Sequence, residues 1–482
     1  MYVGIDIGTS SVKVIVVDQQ GQLVDEATQP LSSSRPGPLM SEQDPRHWWR
    51  ATDQAMQSLN QYGSEVRAIG LSGQMHGAVL LDGEDKPLRP AILWNDGRSG
   101  DECVELEASS DVRKTTGNAA MPGFTAPKLL WVKKHEPAVF EDIVKVLLPK
   151  DYVRLQMTGE YATDMSDAAG TLWLDTQARR WSSSMLDATS LSSTHMPELL
   201  EGCEVTGRLR SEVASKWGMK NVIVVGGAGD QAAGAVGAGA IRRGQATLSL
   251  GTSGVIFAPD SQFQPNPEEG VHTFCHAIPE TWHQMAVILS AAGSLAWITN
   301  ELQYASESEL MQDLHQNFPK TDIPIFLPYL SGERTPHNDP QAKGAFLGLT
   351  LNSDRKALAY SVLEGVAFAL RDCRDVLLNA GADLSSVSVI GGGTQSDLWG
   401  QLIADVLNMP LIYREDAAVG PALGAARLAI LGDSGSTVEE VCVPAPIRQV
   451  IAPTSTHNEE IGRRYELYRE AYRQLKGSFE RY

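Results

Sequence analysis

Residues 221–239 read NVIVVGGAGDQAAGAVGAG, and the parse of this run decides the fold. Val222, Ile223, Val224 and Val225 are β-branched and apolar, as in a short buried strand, and Gly226 with Gly227 ends it. Ala232, Ala233, Ala235, Val236 and Ala238 then favour a helix, while Gly229, Gly234, Gly237 and Gly239 leave room for another backbone or a ligand. The parse predicts an α/β protein with Asp230 at a strand-to-helix turn, its carboxylate surrounded by few other side chains. Gly227-x-Gly229-x-x-Ala232 after a strand also meets the relaxed dinucleotide fingerprint, the basis of a rival reading as a nicotinamide-dependent dehydrogenase. That fingerprint asks for an acid about 20 positions on, and Thr247, Leu248, Ser249, Leu250 and Gly251 supply none. Asp230 would also repel the pyrophosphate. From these residues two uses of Asp230 stay open, a general base and a helix N-cap.

Working outward, residues 3–18 form two strand-like runs around Gly8, Thr9, Ser10 and Ser11, with Asp6 near the end of the first. Amides and hydroxyls of such a turn wrap phosphate oxygens, Lys13 adds charge, and Asp6 is placed to hold Mg2+, directly or through water. A plain β-hairpin explains the glycine but not an acid in an apolar strand. Residues 247–257 repeat the design around Gly251, Thr252 and Ser253, which predicts two similarly built halves sharing a cleft. A P-loop is excluded, because Gly-x-x-x-x-Gly-Lys-[Ser/Thr] does not occur.

Between the hairpins, residues 68–72 read as a strand running into Gln74, Met75, His76 and Gly77, and Ile92 and Leu93 lead into Trp94, Asn95, Asp96, Gly97 and Arg98. Both place polar groups beyond a strand end, where α/β proteins bind ligands. Trp94 suits stacking on a sugar face; Asn95, Asp96 and Arg98 either bind hydroxyls or brace the loop. Residues 241–244 read as the boundary between a domain at 1–243 and one at 244–482. In the second, strand 387–390 runs into Gly391, Gly392 and Gly393, bare backbone that suits adenine or ribose. Residues 420–426 read as a closely packed helix start. Ile461, Tyr465, Tyr468, Tyr472 and Leu475 form one apolar stripe on a last helix, expected to dock on its own domain or to serve a homodimer.

A formal net charge of -19 over 482 residues argues against nucleic acid or an anionic membrane as partner. No apolar run is long enough to span a bilayer, so a cytoplasmic protein is expected. Five separated cysteines read as reduced thiols. His272, Cys275 and His276 fit a strand better than a zinc-binding helix.

With these residues assembled, the chain resembles the FGGY carbohydrate kinases over nearly its whole length. One family signature is met by Gly123, Thr125, Lys128, Leu129, Trp131, Val132, Lys134 and His135. A second is met by Gly344, Phe346, Gly348, Leu349, Leu358, Ser361, Val362, Leu363 and Glu364, departing only at Ala357, expected on a helix surface. The resemblance implies a two-domain, actin-like (ribonuclease-H-like) duplicated ATPase fold with ATP and a small sugar in the interdomain cleft. It implies that Asp230 accepts the proton of the attacking hydroxyl, that Asp6 acts near the metal, and that Met75, His76 and Gln231 touch the sugar. Gly8, Thr9, Ser10, Lys13, Gly251, Thr252, Gly392 and Gly393 would hold ATP. The sugar implied is a ketopentose, D-xylulose at O5. Ribulose, gluconate and glycerol are the alternatives within the family, and an actin-like or chaperone-like ATPase is the alternative outside transfer to a sugar.

Overall fold

The computed structural model describes residues 1–316, 322–391, 396–415, 420–454, 458–479 and 481. Its N-terminal half is built on β1 (Tyr2–Ile7), β2 (Ser11–Val17), β3 (Leu23–Pro30), β4 (Ala68–Gly73), β5 (Val205–Arg208), β6 (Ile223–Val225) and the short β7 (Ala228–Gly229). Their order is β5-β6-β4-β1-β2-β3, with β7 also on β4. The first three strands are antiparallel, while β4 and β6 run parallel to β1.

The C-terminal half uses β8 (Ala246–Leu250), β9 (Gly254–Asp260), β10 (His272–Cys275), β11 (Trp282–Ile288), β12 (Val387–Ile390), β13 (Leu411–Arg414) and β14 (Ile447–Ile451). Their order is β10-β11-β9-β8-β12-β13-β14. Here four strands, β8, β9, β11 and β10, are antiparallel, β12 and β13 join parallel to β8, and the antiparallel β14 closes the edge. The expected duplication is thus present in the connectivity, which is that of the two-domain actin-like fold.

Alternation along β1 sorts its residues. Val3, Ile5 and Ile7 join Trp48 and Trp217 in one core, and Tyr2 joins Ala232, Ala233, Ala422 and Ala426 in another. Asp6 therefore lies on the face of Tyr2, the side covered by helix α1 (Asp230–Ala238) and helix α2 (Gly420–Ser434). Residues 420–426 do pack tightly: a Cβ on Gly424 would lie 1.8 Å from the Ala233 carbonyl oxygen. Helix α2, late in the chain, thereby seals the N-terminal sheet.

The C-terminal helix α3 (Asn458–Phe479) docks on its own domain. Tyr465, Tyr468 and Tyr472 are buried, and Tyr329 and Tyr468 share a hydrogen bond of 2.7 Å. The stripe is thus spent inside the chain. Ala357 is a correction: it is 1 % exposed, not on a helix surface, because its turn faces the core. Among the described residues no helix is long and apolar enough to cross a membrane.

Candidate active site

A strand that ends in two glycines before an alanine-rich run delivers Asp230 as the first residue of α1. Gly229, not Asp230, is the N-cap, and no side chain caps this helix. The cap reading is therefore overturned, and the carboxylate is left for other work. Gly227 has φ +70, and a Cβ there would sit 1.9 Å from the Leu71 carbonyl oxygen, so this glycine packs against β4 and offers no seat for a pyrophosphate.

The Asp230 turn is held from behind. The Gly229 amide donates to Ser166 Oγ at 3.1 Å, and Ser166 in turn donates to Asp164. Asp164 Oδ1 lies 2.8 Å from Lys150 Nζ, which also pairs with Asp151 and Asp167, all fully buried. Arg154 donates to the carbonyls of Val225 and Gly226 at 2.7 and 2.6 Å. Sequence reading missed this ion cluster, because its members are spread along the chain without a motif spacing.

Asp230 titrates at about 7, raised first by burial and then by the negative charge of Asp6. Asp6 is itself raised to about 6, mainly by burial, with Ser72 and Lys13 opposing. Its Oδ1 is buried without a hydrogen-bond partner. One orphaned carboxylate oxygen beside a Gly-Thr-Ser turn fits Mg2+, which keeps waters and takes one or two carboxylates plus phosphate oxygens. Among the described residues no three His, Cys, Asp or Glu side chains converge as an all-protein cage.

The Gly8, Thr9 and Ser10 turn is tied to the loops that carry Gln74 and Trp94. Trp94 Nε1 donates to Thr9 Oγ1 at 3.0 Å, and Thr9 Oγ1 donates to Gln74 Oε1 at 3.0 Å. Lys13 sits opposite Asp6 across β1 and β2, with its Nζ paired to Glu26 at 2.9 Å. Gly251 and Thr252 form the matching exposed turn, whose carbonyls accept from the amides of Ala291, Ala292 and Gly293. Gly392 and Gly393 lie outside the described residues. Asp96 and Arg98 brace their loop: the Asp96 carboxylate accepts from Arg98 and from the Ser41 amide.

Met75, His76, Trp94, Asp230 and Gln231 are brought together around a cavity of about 150 Å³. His76 has φ 69, a strained backbone for this residue type. Its carbonyl accepts from Lys128 Nζ at 2.8 Å and Thr125 Oγ1 at 3.2 Å, which fixes the loop. Lys128 is the signature lysine, and burial pushes it down to about 7. His76 Nδ1 lies 2.7 Å from the Gly170 carbonyl. A carbonyl only accepts, so Nδ1 carries the proton; burial lowers the ring to about 3, leaving Nε2 as a neutral acceptor for a hydroxyl.

The opposite wall comes from the C-terminal half: Ser253, Val255, His272, Phe274, Met285, Val287 and Arg334. His272 Nε2 is buried with no partner among the described residues, and burial holds that ring neutral too. Val255, Phe274, Met285 and Val287 escaped sequence reading because alternate positions of paired strands supply them, and Arg334 because it comes from a loop without a motif spacing. The expected strand at His272–Cys275 is present, and His276 spends both ring nitrogens on backbone groups.

The model of the FGGY family of carbohydrate kinases, N-terminal domain, matches residues 1–237, and that of its C-terminal domain matches 246–432. A xylulose kinase from Escherichia coli (strain K12) is 53% identical, over 98% of this chain and 99% of the relative. The crystal structure of a xyloylose kinase from Brucella ovis superposes with a TM-score of 0.95 at 48% identity, covering 99% of each chain. The crystal structure of a gluconate kinase from Lactobacillus acidophilus gives 0.93 at 26% identity, over 100% of this chain and 99% of the other. A duplicated fold, an uncapping acid at the head of a cavity and these likenesses lead to one conclusion: the chain belongs to the FGGY family of carbohydrate kinases, ATP-dependent phosphotransferases.

Proposed function

We propose that this chain transfers the terminal phosphoryl group of ATP to O5 of D-xylulose. The observation that carries the reading is the cavity itself, closed by neutral histidines and aromatic rings and ending at one buried acid, Asp230. The names of the relatives, xylulose kinases over nearly full length, supply the sugar. We take 1–243 and 244–482 as the two domains, working in the cytosol.

Phosphoryl transfer asks the protein mainly to align and neutralise. Asp230 accepts the proton of the attacking hydroxyl; its raised affinity for protons suits it to that task near neutral pH. Met75, His76, Trp94 and Gln231 orient the sugar so that this hydroxyl meets Asp230. The turns with Gly8, Thr9 and Ser10 and with Gly251 and Thr252 hold phosphate oxygens, and Gly392 with Gly393 supports the adenosine. Asp6 would hold Mg2+, directly or through water; the ion supplies charge neutralisation on the phosphates. The hydrogen bonds from Trp94 to Thr9 and from Thr9 to Gln74 give sugar and phosphate sites a common frame.

The test is a panel of D-xylulose, ribulose, gluconate, fuculose and glycerol with ATP and Mg2+. D-Xylulose should show the highest kcat/KM. A better gluconate or ribulose would move the assignment within the family, and ATP hydrolysis without sugar phosphate from any sugar would refute transfer.

A further inference from the structure

The C-terminal wall of the cavity carries a cation. Of the side chains lining the cavity, Asp230 and Arg334 bear charge when both histidines are neutral. Arg334 sits between two anchored neighbours. Glu333 Oε1 accepts from the amides of Leu289 and Arg334 at 2.9 and 2.8 Å. The Thr335 amide donates to the Val287 carbonyl at 3.0 Å, and Thr335 Oγ1 donates to the Gly270 carbonyl at 2.9 Å. This loop therefore extends the edge of β11 where β10 has ended: His272 faces Met285, and Thr335 faces Val287 two residues on.

That placement puts Arg334 beside His272, on the part of the cavity wall that the C-terminal half supplies, whereas Asp230 comes from the N-terminal half. The electrostatics agree, since the Arg334 charge bears on His76 and His272. Among the described residues no carboxylate lies within ion-pair distance of the guanidinium. Its neighbour Glu333 is buried, which raises it to about 8, and its Oε1 is spent on the Leu289 and Arg334 amides. A fixed fork of N–H donors without a counterion seeks an acceptor oxygen.

We infer that Arg334 is a specificity-determining residue with which the C-terminal half reads the carbonyl end of the sugar, while Asp230 takes the hydroxyl at the other end. The inference rests on the ketose kinase reading above. A ketose seated this way bridges the two halves. A pentitol, with a hydroxyl in place of the carbonyl, meets the same base but forfeits the guanidinium's preferred acceptor. A sugar acid, with a carboxylate at that end, gains one.

The test compares wild type with Arg334→Met, Arg334→Gln and Arg334→Lys. The readouts are the KM for D-xylulose and for ATP, and the inhibition constants of xylitol and of a five-carbon aldonate against D-xylulose. Arg334→Met should raise the D-xylulose KM by roughly 10-fold to 150-fold, the range for losing one charged hydrogen-bond partner. It should weaken the aldonate at least as much and leave xylitol and ATP within about twofold, the same order of change as surface effects. Arg334→Lys should recover part of the loss, Arg334→Gln less. Equal losses for D-xylulose and xylitol, or no loss for either, would overturn the inference while leaving the kinase reading intact. A wild-type enzyme inactive on ketopentoses would instead remove the reading on which it rests. Melting temperatures identify any variant that fails to fold, and Arg334→Gln then stands in for Arg334→Met.

Discussion

The hairpin β1–β2 and the hairpin β8–β9 share their strands and a Gly-Thr-Ser turn, the second pairing one residue tighter, yet only the first carries an acid at its centre. Aligning Gly8 on Gly251 places Asp6 on Ser249. Asp6 faces Lys13 across its hairpin and Ser72 on the parallel neighbour; Ser249 faces Val255 and Ile390 in the same two directions. The first turn is linked through Thr9 to Gln74 and Trp94, whereas the second is wrapped by the amides of Ala291, Ala292 and Gly293. Duplication thus supplied two Gly-Thr-Ser turns, and an acid was built beside only one of them. Asp230, from the same half, completes that charged side, and the second half contributes a neutral wall with one cation.

The largest effect should come from breaking this asymmetry. Asp6→Asn should lower kcat on the order of 10²-fold to 10³-fold, the cost of removing one preorganised electrostatic group. Ser249→Ala should stay near wild type. Equal losses at both positions, read in steady-state assays, would make the hairpins functionally equivalent.

His76→Ala should raise the sugar KM by roughly 5-fold to 150-fold, since a buried hydrogen bond lost costs about 1–3 kcal/mol. The KM for ATP should hardly move. A fall in ATP affinity instead would assign the His76 loop to the nucleotide.

Both hairpins and the Asp230 turn were legible because each is local: strand, glycine and polar residue follow one another in the chain. The C-terminal wall was not, because which face of β9, β10 and β11 meets the cavity depends on pairing partners. Ala357 misled for a similar reason, as its helix turn is covered by distant elements. Helix α2 read correctly as closely packed, but that it covers the N-terminal sheet follows only from the tertiary fold. Arg334 lay in a loop rich in charge and turn formers, and nothing in its neighbours' spacing signalled that Glu333 and Thr335 anchor it at the cavity.

A smaller effect concerns Glu333. Its folded value of about 8 exceeds the ordinary 4.5 because of burial. Between these values the folded chain holds a proton that the unfolded chain has lost, so this group's contribution to stability falls as pH rises across that window. Glu333→Gln should flatten the decline of the melting temperature over that range. An unchanged slope would mean the carboxyl is ionised in the fold.

The claim that one half holds the charge chemistry is tested most directly by the pH dependence of the rate, with both substrates far below saturation so that the free enzyme is reported. Wild type should rise with pH up to a group near 7, the base Asp230, with Asp6 near 6 contributing below it. Asp6→Asn should move that rise to lower pH, because the Asp6 charge is what raises Asp230 after burial. Asp230→Asn should lose about 10²-fold to 10⁴-fold in rate and the rise itself. An Asp230→Asn enzyme that keeps the wild-type rate and the same rising limb would contradict the account.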